Sequence, residues 1–269
     1  MITSLISFFA LAGTFAVCRF AVDIGTGWSV FVSVAVFFTS QICFSLFFRK
    51  RIAAAMGNVQ RIMAEGQNAL KAKTAMWQFR PPGSMKEAQR IIDSDTKKFV
   101  LQALEATKDL KKFRKWVPFI DAQIATAQLH LNWMIRNFDK VDELMPKAMM
   151  RDPASVAIKM ARMQMKEAAL DEIEKVYNKC VSRCRYNENV MPAACWSWIL
   201  VRRGETDRAF KALGEALKKS DNDVLKRNHE LLMNNKPAHF SNSGLGDQWW
   251  TLFLEEPKVK QQRPRQQYR

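Results

Sequence analysis

Charge is almost missing from the first 48 residues, where Arg19 and Asp23 are the only charged side chains. Such a stretch does not belong on the outside of a water-soluble domain. Histidine is scarce too: His130, His229 and His239 are scattered along the chain. No His-x-x-x-His or Cys-x-x-Cys pair occurs, which removes the commonest local metal-ligand spacings. Glycine, at 10 in 269 residues, builds no phosphate-cradling loop, since Gly244-Leu245-Gly246 is too short and follows no strand. Five cysteines, an odd number, do not make a disulfide framework. Cys180 and Cys184 share one helix face, but no histidine or acidic set completes a metal site, and structural thiols in a reducing compartment are expected. Cys195 lies beside Trp196 in the middle of an expected helix, the usual place for a structural thiol rather than a nucleophile. With no catalytic set, metal ligands or cofactor loop in the sequence, the expectation is a protein that is not an enzyme.

What the charge gap contains is two apolar runs of 21 residues, 2–22 and 28–48. A helix of roughly 20 apolar residues crosses the hydrocarbon core. Asp23-Ile24-Gly25-Thr26-Gly27 has the composition of a tight turn between them. Trp28 opens the second run at the depth indole rings favour, and Arg19 can reach the near interface, partly neutralised by Asp23. Arg49, Lys50 and Arg51 close the second run and, by the positive-inside rule, place both termini in the cytoplasm. A rival reading takes 1–22 as a cleaved signal peptide, but the basic leader such peptides need is absent and a second span follows at once.

The formal charge of +16 is unevenly spread. Residues 49–118 carry 16 Lys/Arg against 6 Asp/Glu, 119–256 carry 20 against 19, and 257–269 carry five basic residues and no acid. The central domain is nearly neutral, whereas a nucleic-acid-binding domain would be expected to carry its own basic face. Nucleic acid is therefore an unfavoured partner, left to the basic ends alone. Base next to the membrane fits anionic headgroups, at ~1 kcal/mol per Lys or Arg near the surface. Arg49, Lys50 and Arg51 are the expected headgroup contacts.

Beyond the spans, Ile52, Met56, Val59, Ile62 and Met63 recur at helical steps, so 49–79 reads as a cytoplasmic extension of the second span. Its basic face could lie along headgroups, or its apolar stripe could pack against later helices. Gly57 and Gly66 weaken this helix without needing to break it. Arg80-Pro81-Pro82-Gly83 interrupts it, and Ser84 with Glu87 forms a capping box ahead of 85–115, which reads as one long helix or two shorter ones. Phe99, Leu101, Leu104 and Leu110 are the expected apolar stripe, and Trp116-Val117-Pro118 the stop.

Two segments 68 residues apart look alike, RNFDKVDELMPKA at 136–148 and GETDRAFKALGEA at 204–216. Gly204 ends a helix, then Ala209, Leu213 and Ala216 follow at steps of four and three; Arg136, Val141, Met145 and Ala148 take the same places. Asp152-Pro153 is the expected end of the first copy's helix. These residues resemble the tetratricopeptide repeat family, whose period is half of 68. Residues 190–223 match best, 119–153 match well after Arg136, and 155–188 are degenerate, fitting only with a one-residue slip at Val176 and Cys180. Residues 223–236 read as a closing helix. The resemblance covers about 120 of the 269 residues, and an unrelated helical bundle is the alternative. Physically, faces such as Ile124, Ala127, Leu131 and Ile135 are too wide to hide alone, and stacked pairs would bury them and leave a concave surface.

By the resemblance, the outward side of each first helix lines a groove for a protein or peptide. This points to Gln123, His130 and Trp133 in one unit and to Ala194, Trp198 and Arg202 in another. Trp and Arg are common interface anchors; the two Trp side chains could equally plug gaps between helices. Residues 237–248 read as a loop, and 249–254 as a cap on the last repeat or a membrane contact.

The expected fold class is all-α, an N-terminal two-helix transmembrane hairpin followed by a tetratricopeptide-like α-solenoid. The segments are a hairpin at 1–48, a basic juxtamembrane helix and linker at 49–83, a helical connector at 84–118, repeats at 119–236, a cap at 237–256 and a disordered basic tail at 257–269. The layout is similar to that of HemY-type bacterial inner-membrane proteins, which implies an inner-membrane location and a docking role; no motif carries haem metabolism across. The expected function is a membrane-anchored protein-interaction scaffold. The alternative is a lipid- or cofactor-handling accessory of a membrane enzyme, and a nucleic-acid tether ranks below both.

Overall fold

The computed structural model describes residues 2–22, 25–77, 79–80, 82–117 and 119–256. The expectations placed on Asp23, on Pro118 as a helix stop and on the tail 257–269 fall outside them. Every regular element among the described residues is helical. The chain forms two compact units, 1–149 and 150–269.

The first unit begins with α1 (Ile2–Ala16), which continues as a π-helical turn over Val17–Ala21, and α2 (Thr26–Met76). Both are long and apolar enough to cross a membrane, a test that a signal sequence also passes. Their packing is inside out. Among the described residues, those buried in α1 and in the apolar half of α2 are Thr3, Ser7, Ser29 and Ser33, while Phe9, Phe20, Phe31 and Phe38 are each 60 % exposed or more. Small side chains bring the two backbones together, and the Ser40 hydroxyl donates to the Ser7 hydroxyl at 2.8 Å between the helices.

The helix of α2 runs for 51 residues without a break, straight through Arg49-Lys50-Arg51. In its second half Ile52 and Met56 pack beside Leu110, Ile120 and Ile124, while Val59, Ile62 and Met63 pack with Val100, Ala103 and Leu131. Its apolar stripe is therefore satisfied by protein. Gly66 is where α3 (Met85–Ala106) crosses: a Cβ there would lie 2.5 Å from Phe99 Cγ, whereas one at Gly57 would meet nothing. Lys73 Nζ meets Asp95 Oδ2 at 2.6 Å at the end of this crossing. Ser84 caps α3, its Oγ accepting from the Glu87 N–H at 3.1 Å. The helix tightens to a 3-10 segment over Thr107–Phe113. The expected stripe is corrected at one place: Leu101 is exposed, and Val100 and Ala103 face the core in its stead.

The remaining helices are α4 (Ile120–Met134) and α5 (Phe138–Leu144) in the first unit, then α6 (Pro153–Met165), α7 (Leu170–Val181), α8 (Val190–Arg202), α9 (Thr206–Leu217), α10 (Asp223–Met233) and the short α11 (Asp247–Trp250). Helix α5 stops at Leu144, two residues before Pro146, not at Asp152-Pro153; a proline disfavours helix in the residue ahead of it. Asp152 instead caps α6, accepting from the Ser155 N–H at 2.9 Å.

Four helix ends share one construction. Arg136, Glu167, Gly204 and Asn235 are all left-handed, with φ of 56°, 55°, 83° and 53°. Each donates its N–H three residues back, to Trp133, Gln164, Val201 and Leu232. The next residue donates five back, to Asn132, Met163, Leu200 and Leu231. This is the Schellman closure, usually built on glycine. Ile173, Tyr177 and Cys180 are buried at steps of four and three, like Ala209, Leu213 and Ala216. Val141, Ile173 and Ala209 are 32 and 36 residues apart, following left-handed turns at Arg136, Glu167 and Gly204 that are themselves 31 and 37 apart. In the second unit α6 packs on α7 and α8, α8 on α9, and α9 on α10.

Candidate functional site

Of the expected groove residues of the second unit, Trp198 and Arg202 meet at the C-terminal end of α8, around a residue the sequence reading passed over. The Glu255 carboxylate accepts from Trp198 Nε1 at 2.7 Å and from Trp249 Nε1 at 2.8 Å. The Arg202 guanidinium lies 3.7 Å from it and 5.1 Å from the centre of the Trp198 ring. Two indole donors and a cation thus share one anion, whose side chain is 16 % exposed. Each indole is buried with its single polar atom satisfied, as burial of tryptophan demands. Trp198 and Trp249 meet edge to face at 6.1 Å.

The segment 237–256, read from sequence as a loop and a cap, is tied to α8 by a buried amide relay. Asn242 Nδ2 donates to the Ala194 carbonyl at 2.8 Å, and Asn228 Nδ2 donates to Asn242 Oδ1 at 2.7 Å. Trp249 and Leu252 are buried in the second unit. Ala194 is fully buried and offers its carbonyl to this relay rather than a face to a partner. Beside the clamp a cleft of about 610 Å³ is lined by Arg202, Phe240, Trp250, Leu254 and Glu255, among others.

The first-unit residues do not converge. Trp133 is 2 % exposed, its ring 5.4 Å from that of Phe138, which is the gap-filling role. His130 is half-buried and Gln123 exposed. Gln123 lines a different feature, a cavity of about 660 Å³ between α1, α2 and the segment 116–123, together with Arg49. Lys50 and Arg51 are exposed, with the Arg51 guanidinium over the Phe47 ring at 4.8 Å.

The thiols of Cys180, Cys184 and Cys195 are held in their neutral form. Cys180 and Cys184 sulfurs are 3.8 Å apart, and burial first, then the neighbouring Cys184, pushes Cys180 up to about 12. Burial alone raises Cys195. Thiolate is the reactive form, so neither is prepared for attack at neutral pH. Among the described residues no group of three His, Cys, Asp or Glu could hold a metal. Glu255 and Asn242 escaped sequence reasoning because they act across the fold, while Trp249 was read only as part of the apolar segment 249–254 and not as a donor to Glu255. The one available signal was an acidic pair, Glu255-Glu256, directly after an apolar run.

No protein-family model, curated protein or solved structure matches the chain.

Proposed function

We propose that this chain is a membrane-anchored docking protein without catalytic activity of its own. The hairpin lies in the membrane with both termini in the cytoplasm, in a bacterial inner membrane if the HemY-like layout holds. The helical pairs beyond it form a tetratricopeptide-like solenoid that gathers a protein or peptide at the bilayer. The observation that carries this is α2: one unbroken helix joins an exposed apolar half to a half whose stripe is packed against other helices. A continuous helix transmits position, and tethering raises the local concentration of anything docked.

The docking face is the cleft beside Arg202, with Phe240 and Trp250 as its apolar walls. Photoreactive groups at Arg202 and Phe240 in living cells test this. A discrete protein adduct is expected. Labelling of lipid alone, or a reporter after Arg51 that reports from the far side of the membrane, would overturn the reading.

A further inference from the structure

The cavity at the foot of the hairpin lies across the boundary that Arg49 marks, and its lining is graded. Gln41, Ser45 and Arg49 follow at four-residue steps, so they form one stripe on α2, and all three line the cavity. The side chains of these three make no hydrogen bond or ion pair within the described residues. Gln41 and Ser45 sit in the apolar run, where an unsatisfied polar group is costly to hold in hydrocarbon. Around the stripe the walls are apolar, including Phe38 and Ile42, which are 60 % and 58 % exposed and so leave the cavity open sideways.

The far wall is fixed in place. Trp116 stacks on Phe48 with ring centres 5.5 Å apart. Its carbonyl accepts from Thr3 Oγ1 at 2.8 Å, and the neighbouring Lys115 carbonyl accepts from the Ile2 N–H at 3.0 Å. The start of α1, the end of the second apolar run and the 115–117 segment are thereby locked around the cavity.

We infer that this cavity is a binding site for a single anionic phospholipid of the cytoplasmic leaflet, an inference that rests on the membrane reading above. The order of groups matches such a lipid. Arg49 takes the phosphate at the interface; Ser45 and Gln41, ~6 and ~12 Å deeper along the helix, face the glycerol esters and upper chains; Phe38 and Ile42 take the chain beyond. Gln123 closes the headgroup end. One charge and two neutral donors are complementary to one phosphate and two esters. The general attraction of the basic triplet for anionic lipid does not require that order.

The test is native mass spectrometry of the full chain in detergent, doped in separate samples with phosphatidylglycerol, phosphatidylcholine or a long-chain alkyl phosphate. One phosphatidylglycerol retained per chain, at least tenfold more tightly than the other two, is the expected result. Arg49→Gln should weaken retention about tenfold and Arg49→Lys should largely restore it, while Lys50→Gln, which removes one charge of the basic triplet outside the cavity, should weaken it less than about twofold. Helical circular dichroism of each variant guards against misfolding. Equal weakening by Arg49→Gln and Lys50→Gln would overturn the site, as would equal retention of the alkyl phosphate or no retained lipid from a chain that needs detergent. A chain that stays in solution without detergent would overturn the membrane reading and this one together.

Discussion

Helix α8 and the first half of α2 are both dominated by apolar residues, yet they have opposite surroundings. In α8 every residue from Pro192 to Leu200 is buried. In α2 the large side chains Trp28, Phe31, Phe38 and Leu46 are exposed, and the residues buried there are Ser29 and Ser33. Composition alone does not separate a core helix from a span. Length and the identity of the buried side chains differ between them: α8 has 13 residues, too short to cross, and hides its aromatics, whereas α2 is long enough to cross and hides its serines. A soluble core is stabilised by moving Phe and Trp out of water. In lipid that drive vanishes, and small residues take the interface.

The largest expected effect sharpens this contrast by deleting an aromatic ring on each side. Trp249→Ala removes a fully buried indole packed on α8 and leaves the Glu255 carboxylate one donor short, and should cost about 3–5 kcal/mol in thermal or denaturant unfolding of the detergent-solubilised chain. Phe38→Ala, on the exposed face of α2, should change the same unfolding by less than about 0.5 kcal/mol. Comparable losses from the two would erase the distinction.

The two glycines of the juxtamembrane half of α2 divide in the same way. Gly66→Ala drives a methyl group into Phe99 and should destabilise by about 1–3 kcal/mol. Gly57→Ala meets nothing and should stabilise by up to about 1 kcal/mol through helix propensity. Scanning calorimetry that moved both in one direction would deny the α2–α3 crossing. In the second unit, Glu167→Gly should raise stability by roughly 0.5–1 kcal/mol, since the left-handed turn suits glycine. Gly204→Ala should lower it by about 1 kcal/mol for the same reason. The opposite signs test whether the two turns are equivalent parts of a repeat.

The smallest effect concerns the Lys73–Asp95 pair. The hydrogen bond from Lys73, then its charge and that of Lys98, hold the Asp95 carboxyl below its usual value against the opposing effect of burial. A depressed carboxylate contributes stability that is fully present above the ordinary carboxylate pKa and fades as pH falls through the folded value. Asp95→Asn should therefore cost a little at pH 7, within the 0–1 kcal/mol typical of exposed pairs, and nothing once the wild-type carboxylate is protonated. Paired melts at pH 7 and below pH 3 check it.

Much of this architecture was legible in the sequence because it depends on spacing. The two apolar runs, the Ser84 cap, the stripe from Ile52 to Met63 and the matched turns at Arg136 and Gly204 all declare themselves by local period. The burial pattern of the middle segment stayed hidden because its turns are unevenly spaced, 31 residues from Arg136 to Glu167 and 37 from Glu167 to Gly204, so Ile173, Tyr177 and Cys180 fall two residues short of a fixed 34-residue period. The Glu255 clamp was invisible for a different reason. Trp198 and Glu255 are 57 residues apart, and nothing local in either marks the other. Helical spacing located Trp133, Ala194 and Trp198 on the right helices, but how outward they face depends on which segment covers them. The clamp's Trp249 and Glu255 and the Asn242 relay supply that cover on α8.

Everything in this account turns on whether the exposed apolar faces of α1 and α2 are covered by lipid. Alkaline carbonate extraction of membranes from cells producing the full chain tests it most directly. The protein is expected to stay in the pellet and come out only with detergent; recovery of the intact chain in the carbonate supernatant would show that lipid does not cover these faces.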